Sequence, residues 1–177
     1  MTLGLQRGSV KLVPHSNEWG TLFEEERTRI ITCLRGKTVA IEHVGSTAIP
    51  DIPAKPILDI AVGIPDVGAI CEYIQKLKQI GYEYRGDISG DGDYTFAKGP
   101  DSRRTHYVHI VALDSPKWEE YLLFRDYLRN HEEERKEYAA LKSTLAEKYG
   151  SDRDSYTQGK QEFIRRVVEL ARTELGR

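Results

Sequence analysis

The chain has 177 residues, 39% of them hydrophobic and 31% charged, with a formal net charge of −2. That length suits one folded unit with a full core, and the near-neutral charge supplies no global basic field for nucleic acid. No apolar stretch approaches the ~20 residues that span a bilayer, and the opening MTLGLQRGSVKLVPHS lacks the apolar core of a signal peptide. A cytoplasmic protein with no membrane partner is therefore expected.

In chain order, the first expected element is a helix after Pro14, capped by Ser16 and ended by Gly36. Trp19, Phe23, Ile30 and Leu34 recur on one of its faces. Thr38 to Val44 is β-branched and apolar, a strand. Gly45 to Pro56 holds three prolines and a glycine, which excludes an α-helix. Ile57 to Ile64 is a near-continuous apolar run, as in a central strand covered on both faces. Asp66 can cap a second helix, whose stripe is Val67, Ile70, Cys71, Ile74 and Leu77. Tyr82 to Arg85 and Tyr94 to Lys98 read as strands joined by the turn-rich GDISGDGD, and His106 to Leu113 as a further strand.

From Pro116 the chain reads as helical: Pro116 to Arg129, then Asn130 to Tyr149 with Asn130 and Glu133 as a capping-box pair, then a third helix from Ser151 or Asp154 almost to the end. HEEERKE at the start of the second tail helix is a solvated face whose glutamates suit the helix dipole. The order predicts an α+β fold over residues 1–177, with a core over about 1–114 and a helical part over about 115–177 packed on it. Cys33 and Cys71 form no paired motif and fall on apolar helix faces, so buried, reduced thiols are expected.

The chemistry concentrates in IEHVGSTAIPDIPAKPILDIAVGI, from Ile41 to Ile64. Gly45 lets a phosphate approach the backbone, and Ser46 and Thr47 add hydroxyl donors. On the following strand Asp59, Ala61 and Gly63 share a face. A carboxylate on a central strand must be paired, protonated or metal-bound, and Mg²⁺ is a natural partner because phosphate and water complete its shell. The competing reading is an ordinary turn with Asp59 held by backbone or Lys55 hydrogen bonds.

IEHVGSTAIPDIPAKPILDI resembles the signature of the GrpB family, an uncharacterised family with a nucleotidyltransferase-like fold. THYVHIVAL, FRDYLRNH, YAALKSTLAEKY and YTQGKQEFI continue the resemblance over nearly the whole chain, from the Trp19 helix to Phe163. It implies a mixed sheet of nucleotidyltransferase type followed by helices. The broader nucleotidyltransferase pattern is Gly-Ser, then two acids at i and i+2 on a strand, then a third acid on a later strand, together holding two metal ions. Gly45, Ser46 and Asp59 match its first parts; Ala61 stands where the second acid belongs.

The resemblance makes Asp59 the candidate catalytic acid and Mg²⁺ ligand, with Gly45, Ser46, Thr47 and Lys55 on phosphate. THYVHIVAL lies where the third acid is usual. His106 and His109 point to opposite faces of a regular strand, so only one serves the site. His109, sharing a face with Tyr107 and Val111, is the favoured metal ligand, general base or partner of Asp59; the competing reading is a structural histidine bonded to a neighbouring strand. Glu42, beside His43, is either a buried acid or a strand-end residue. In related nucleotidyltransferases, basic groups of the helical part close over the triphosphate. That resemblance offers Arg125 (one turn from Arg129), Lys142 and Lys160 as a clamp; the alternative is snorkelling side chains paired with neighbours such as Asp126. Asp91 and Asp93 are acidic where the family tends to be basic, and can bring a further carboxylate to the site.

The expected ligand is a nucleoside triphosphate or another phosphorylated small molecule, with nucleotidyl transfer to an unknown acceptor as the enzymatic reading. The alternatives are a cleft that binds without turnover, motivated by Ala61, and a protein-interaction module using the tail helices. Some family members are fused to an enzyme of coenzyme A synthesis, which fits a nucleotide-related setting.

Overall fold

The computed structural model describes residues 3–37, 39–88 and 90–176. Five strands form one mixed sheet in the order β1-β2-β5-β4-β3: β1 (Ala40–Val44), β2 (Leu58–Ile64), β3 (Tyr82–Asp87), β4 (Tyr94–Lys98) and β5 (His106–Ala112). Only the β2–β5 pair is parallel. The expected first strand began at Thr38, which lies outside the described residues; the observed strand starts at Ala40.

Each face of the sheet is covered differently. Leu58, Ile60, Val62 and Ile64 of β2 alternate with Asp59, Ala61 and Gly63, so one face is continuously apolar. On that face α1 (Glu18–Cys33) and α2 (Ile70–Gln79) bury Trp19, Phe23, Ile30, Tyr73 and Leu77 against the strands. The other face receives α3 (Pro116–Asn130), which packs on β1, β2 and β5. Behind α3 lie α4 (Glu132–Lys148) and α6 (Gln161–Glu174), whose Tyr138, Phe163, Val167 and Val168 join Phe124 and Leu128 in a second core. The short α5 (Arg153–Gln158) connects them and packs on α4.

Several local expectations are corrected. The α1 cap position is Asn17, and the Ser16 hydroxyl accepts the Glu18 N–H at 3.3 Å instead. Asp66 does cap, accepting from the Gly68 N–H, but what it starts is a 3₁₀ turn, Val67–Ala69. In α2 the inward face runs through Ile70, Tyr73, Ile74 and Leu77, and Cys71, at the edge of the expected stripe, is exposed. Cys33 is half-buried, with its thiol on the Lys76 carbonyl, and both cysteines are free. The buried thiols expected from the sequence are thus not found.

Asn130 is the last residue of α3, not a cap of α4; its amide donates to the Asp126 carbonyl, and His131 takes the cap position without a side-chain bond. The last expected helix is two, broken after Gln158. Gly159 sits there against Leu145 of α4, where a β-carbon would come within 2.6 Å of Leu145 Cδ2. The break brings Lys160 to the start of α6 rather than the middle of a long helix. No helix among the described residues is long and apolar enough to cross a membrane.

Candidate functional site

The β1–β2 pairing places Val44 opposite Asp59, so Gly45 leaves the strand directly beside that carboxylate. Gly45 has φ 66° and ψ −170°, a backbone region open essentially only to glycine. A β-carbon there would lie 2.5 Å from Asp59 Oδ2 and 2.9 Å from its Cβ. Both constraints demand glycine. The chain then enters a 3₁₀ turn, Ser46–Ala48, and the leading N–H groups of such a turn have no partner within it.

This turn forms one wall of a cavity of about 330 Å³ between the sheet and the helical part. Gly45, Ser46, Thr47, Lys55, Asp59, His109 and Lys160 all line it, together with Asp93, Lys117, Tyr121, Tyr138, Arg153 and Tyr156. Sequence-distant candidates therefore converge. Ser46 and Tyr138 both line the cavity, while the Thr47 hydroxyl reaches away from it to His43 Nε2 at 2.9 Å. His43 itself stacks on Phe23 on the α1 side of the sheet.

His109 is the histidine of β5 that faces the cavity. His106 lies on the opposite face, edge-on to Tyr82, where burial pushes its pKa down to about 4. Asp93, just before β4, bonds His109 Nδ1 through Oδ1 at 3.0 Å and Oδ2 at 3.1 Å, and accepts the Tyr121 hydroxyl on Oδ2. Burial alone lowers the His109 pKa, but Asp93, followed by Asp59, outweighs it, and the net shift is upward. Burial likewise opposes the Asp93 carboxylate, yet His109 and Tyr121 hold it below the ordinary aspartate value. Asp93 was legible in the sequence only as a carboxylate of uncertain direction; its pairing with His109 comes from the register that puts Thr95 opposite His109.

The cations sort into two sets. Arg125 is buried and spent: it donates to Glu42 Oε2 at 2.6 Å, to the His43 carbonyl at 3.1 Å, and to both oxygens of Asp126. It does not line the cavity, and its role is to tie α3 to β1. Arg129 donates to the Ala48 carbonyl at 2.9 Å. Lys142 is fully buried behind the cavity wall and donates to the Pro53 carbonyl, so the clamp expected of Arg125 and Lys142 is not assembled at the cavity surface.

Lys55, Lys160 and Arg153 are different. Each lines the cavity, and none forms an ion pair among the described residues. Tyrosine faces hold them instead: Lys55 and Lys160 lie 5.5 Å and 4.7 Å from the Tyr156 ring centroid, and Arg153 lies 4.7 Å from that of Tyr107 while donating to its hydroxyl at 2.8 Å. A π face attracts a cation without neutralising it. Burial first, and then the Arg153 charge, lower the Lys55 pKa to about 8, against an opposing pull from Asp59. Burial first, and then Lys55, lower that of Lys160 to about 7. Lys142, for the same reasons, falls well below the ordinary lysine value. Arg153 carried no signal in the sequence, because α5 is too short to show a periodic face.

Ala61 is explained by α3. Glu42, Ala61 and His109 lie side by side across β1, β2 and β5. Tyr121 packs on His109 with ring centroids 5.4 Å apart, and Arg125, one turn later, bonds Glu42. Helix α3 therefore straddles Ala61, which is fully buried. One step along β2, Gly63 meets Leu113 and Trp118 in the same way.

A GrpB family profile, described as "GrpB protein", matches residues 9–170. The chain belongs to the GrpB family. It is 38% identical over 170 residues to the glutamate-rich protein GrpB of Alkalihalophilus pseudofirmus, covering 94% of this chain and 98% of that one. The crystal structure of conserved protein GrpB from Enterococcus faecalis superposes with a TM-score of 0.85 at 31% identity, covering 94% of this chain and 100% of that chain. A more distant similarity, 27% over 194 residues, covers 96% of this chain and 48% of a dephospho-CoA kinase of Mycolicibacterium paratuberculosis. The mixed sheet with helices on both faces fits the nucleotidyltransferase-like fold that the family resemblance implied.

Two substitutions test this geometry. Gly45→Ala is expected to cost at least ~1–3 kcal/mol from backbone strain alone, seen as a lower denaturation midpoint. Ala61→Asp is expected to destabilise by roughly 2–5 kcal/mol, because it buries a carboxylate beneath α3. Thermal unfolding checks it; a variant as stable as the native chain would mean that α3 yields there.

Proposed function

We propose that this cavity binds the phosphate groups of a nucleoside triphosphate or another phosphorylated small molecule. The observation that carries the reading is the set of cations, Lys55, Lys160 and Arg153, held on tyrosine rings and left without acidic partners around one cleft. Structural cations are ordinarily paired, as Arg125 is here. Unpaired ones are left to be charged and bound by an incoming anion. The Gly45–Thr47 turn adds backbone N–H groups and the Ser46 hydroxyl to the lining, and a cavity of this size suits a small ligand. The similarity to half of a dephospho-CoA kinase fits a nucleotide-related setting.

A second reading is transfer of the nucleotidyl group, favoured by the Asp93–His109 pair beside Asp59. In that reaction an acceptor hydroxyl attacks the α-phosphorus, its proton passes to the unprotonated fraction of His109, and pyrophosphate leaves. Asp93, itself held by the Tyr121 hydroxyl, would hold the imidazole by Nδ1, leaving Nε2 to meet the acceptor. Without turnover, the same protonated imidazole serves as one more donor to phosphate.

Calorimetry with ATP, CTP, GTP and UTP tests binding; no heat with any of them at millimolar concentration would count heavily against it. Binding has a proton signature. Lys160 and Lys55, with values of about 7 and about 8, are partly neutral at pH 8, and an anion raises both. Titration of ATP at pH 8, where its phosphates are fully ionised, is expected to take up protons, read as a dependence of the apparent enthalpy on buffer ionisation heat. Because the folded values lie below the ordinary lysine value, the same groups make the empty protein gain stability as pH rises from about 7 toward 10.

For transfer, pyrophosphate release from the four nucleotides is the assay. His109→Ala is expected to reduce release by roughly 10²-fold or more while binding changes little. Release that His109→Ala does not affect rules out this imidazole as the base.

A further inference from the structure

A nucleotidyltransferase-like fold implies a divalent ion, and the side chains of this cleft do not fit one. Mg²⁺ demands an octahedral oxygen shell, of which the protein supplies carboxylates. Among the described residues no three His, Cys, Asp or Glu side chains converge to hold a metal. The acids near the cavity are engaged elsewhere. Asp93 spends both oxygens on His109 and Tyr121. Glu42 is taken by Arg125, and Glu120 pairs with Lys117. The place of a second acid on β2 is Ala61, under α3. Asp59 remains, and it lines the same cavity as Arg153, Lys55 and Lys160. A cation arriving at Asp59 would be repelled by Arg153 and by the charge the two lysines carry.

We propose that the cleft takes its phosphorylated ligand as the free polyanion, a di- or triphosphate without a divalent ion, and that Lys55, Lys160 and Arg153 supply the neutralising charge. This rests on the phosphate reading above. In this arrangement Asp59 lines the empty cleft without pairing with the lysines and raises their proton affinity from a distance, until the anion takes over that role. The ligand's negative charge and Asp59 then oppose each other. A metal bridge predicts the reverse dependence on both Mg²⁺ and Asp59.

The experiment is calorimetry with ATP and with inorganic pyrophosphate, on the native chain, in EDTA and in excess Mg²⁺. Binding in EDTA is expected, and Mg²⁺ is expected to weaken it about three- to tenfold by competing for the phosphate charge. Asp59→Asn is expected to bind within about threefold of the native chain or more tightly, and Lys160→Met and Arg153→Met to lose roughly tenfold or more each. Unfolding midpoints for each variant separate lost contacts from lost folding, and the EDTA and Mg²⁺ arms need no variant. Binding that appears only with Mg²⁺, or is abolished by Asp59→Asn in a folded protein, overturns the proposal. Absence of binding in both arms overturns the phosphate reading itself, and this proposal with it.

Discussion

Helix α3 lies across β1, β2 and β5 only because β2 offers it small residues. Gly63 sits against Leu113 and Trp118, and Ala61 lies under the stretch from Tyr121 to Arg125. A larger side chain at either place would lift the helix off the sheet. The second core is built on that contact, since α4 and α6 pack on α3, and the cavity is the gap left where the helical part bridges back to the β1 turn. The place of the second acid is thus taken up by packing. A carboxylate at position 61 would have to be buried beneath this helix.

That constraint also decides which charges are available. Residues pinned by the crossing are consumed by it: Arg125 closes on Glu42 and Asp126, and Tyr121 on Asp93. Residues that arrive from the flanking loop and from the segments after α4 are not pinned, and they bring Lys55, Arg153 and Lys160 into the gap. What stabilises these is aromatic, with Tyr156 serving both lysines and Tyr107 serving the arginine. Exchanging acids for rings changes the electrostatics more than the packing. A ring returns only part of the cost of desolvating a cation, which is why both lysines sit below their ordinary proton affinity.

The parts of this site that the sequence revealed are the parts set by local chemistry. Gly45, Ser46 and Asp59 were legible because a strand end, a turn and an alternating strand each leave a short-range pattern. The opposite facing of His106 and His109 followed from strand period alone. Where long-range contacts decide, the reading failed. Arg125 and Lys142 carry the right charge at helical spacing, but whether a cation is free depends on partners 83 and 89 positions away, Glu42 and Pro53. Cys71 falls outside the face that Ile70, Tyr73, Ile74 and Leu77 bury, and the break at Gly159, set by Leu145 of α4, left no mark in the periodicity.

Gly45 and Asp59 show how the two scales meet. The glycine is required by a backbone angle and by the carboxylate against it, so turn and acid form a single rigid corner at the end of β1. In a two-metal enzyme such a corner sets the distance between phosphate donors and ion. Here the same corner sets the distance between the N–H groups of the turn and the acid that acts on the cleft's lysines. A carboxylate fixed in this way suits either a metal bridge or, as proposed above, charge exchange with an arriving anion. What differs is the sign of the neighbours, and in this chain the neighbours are positive.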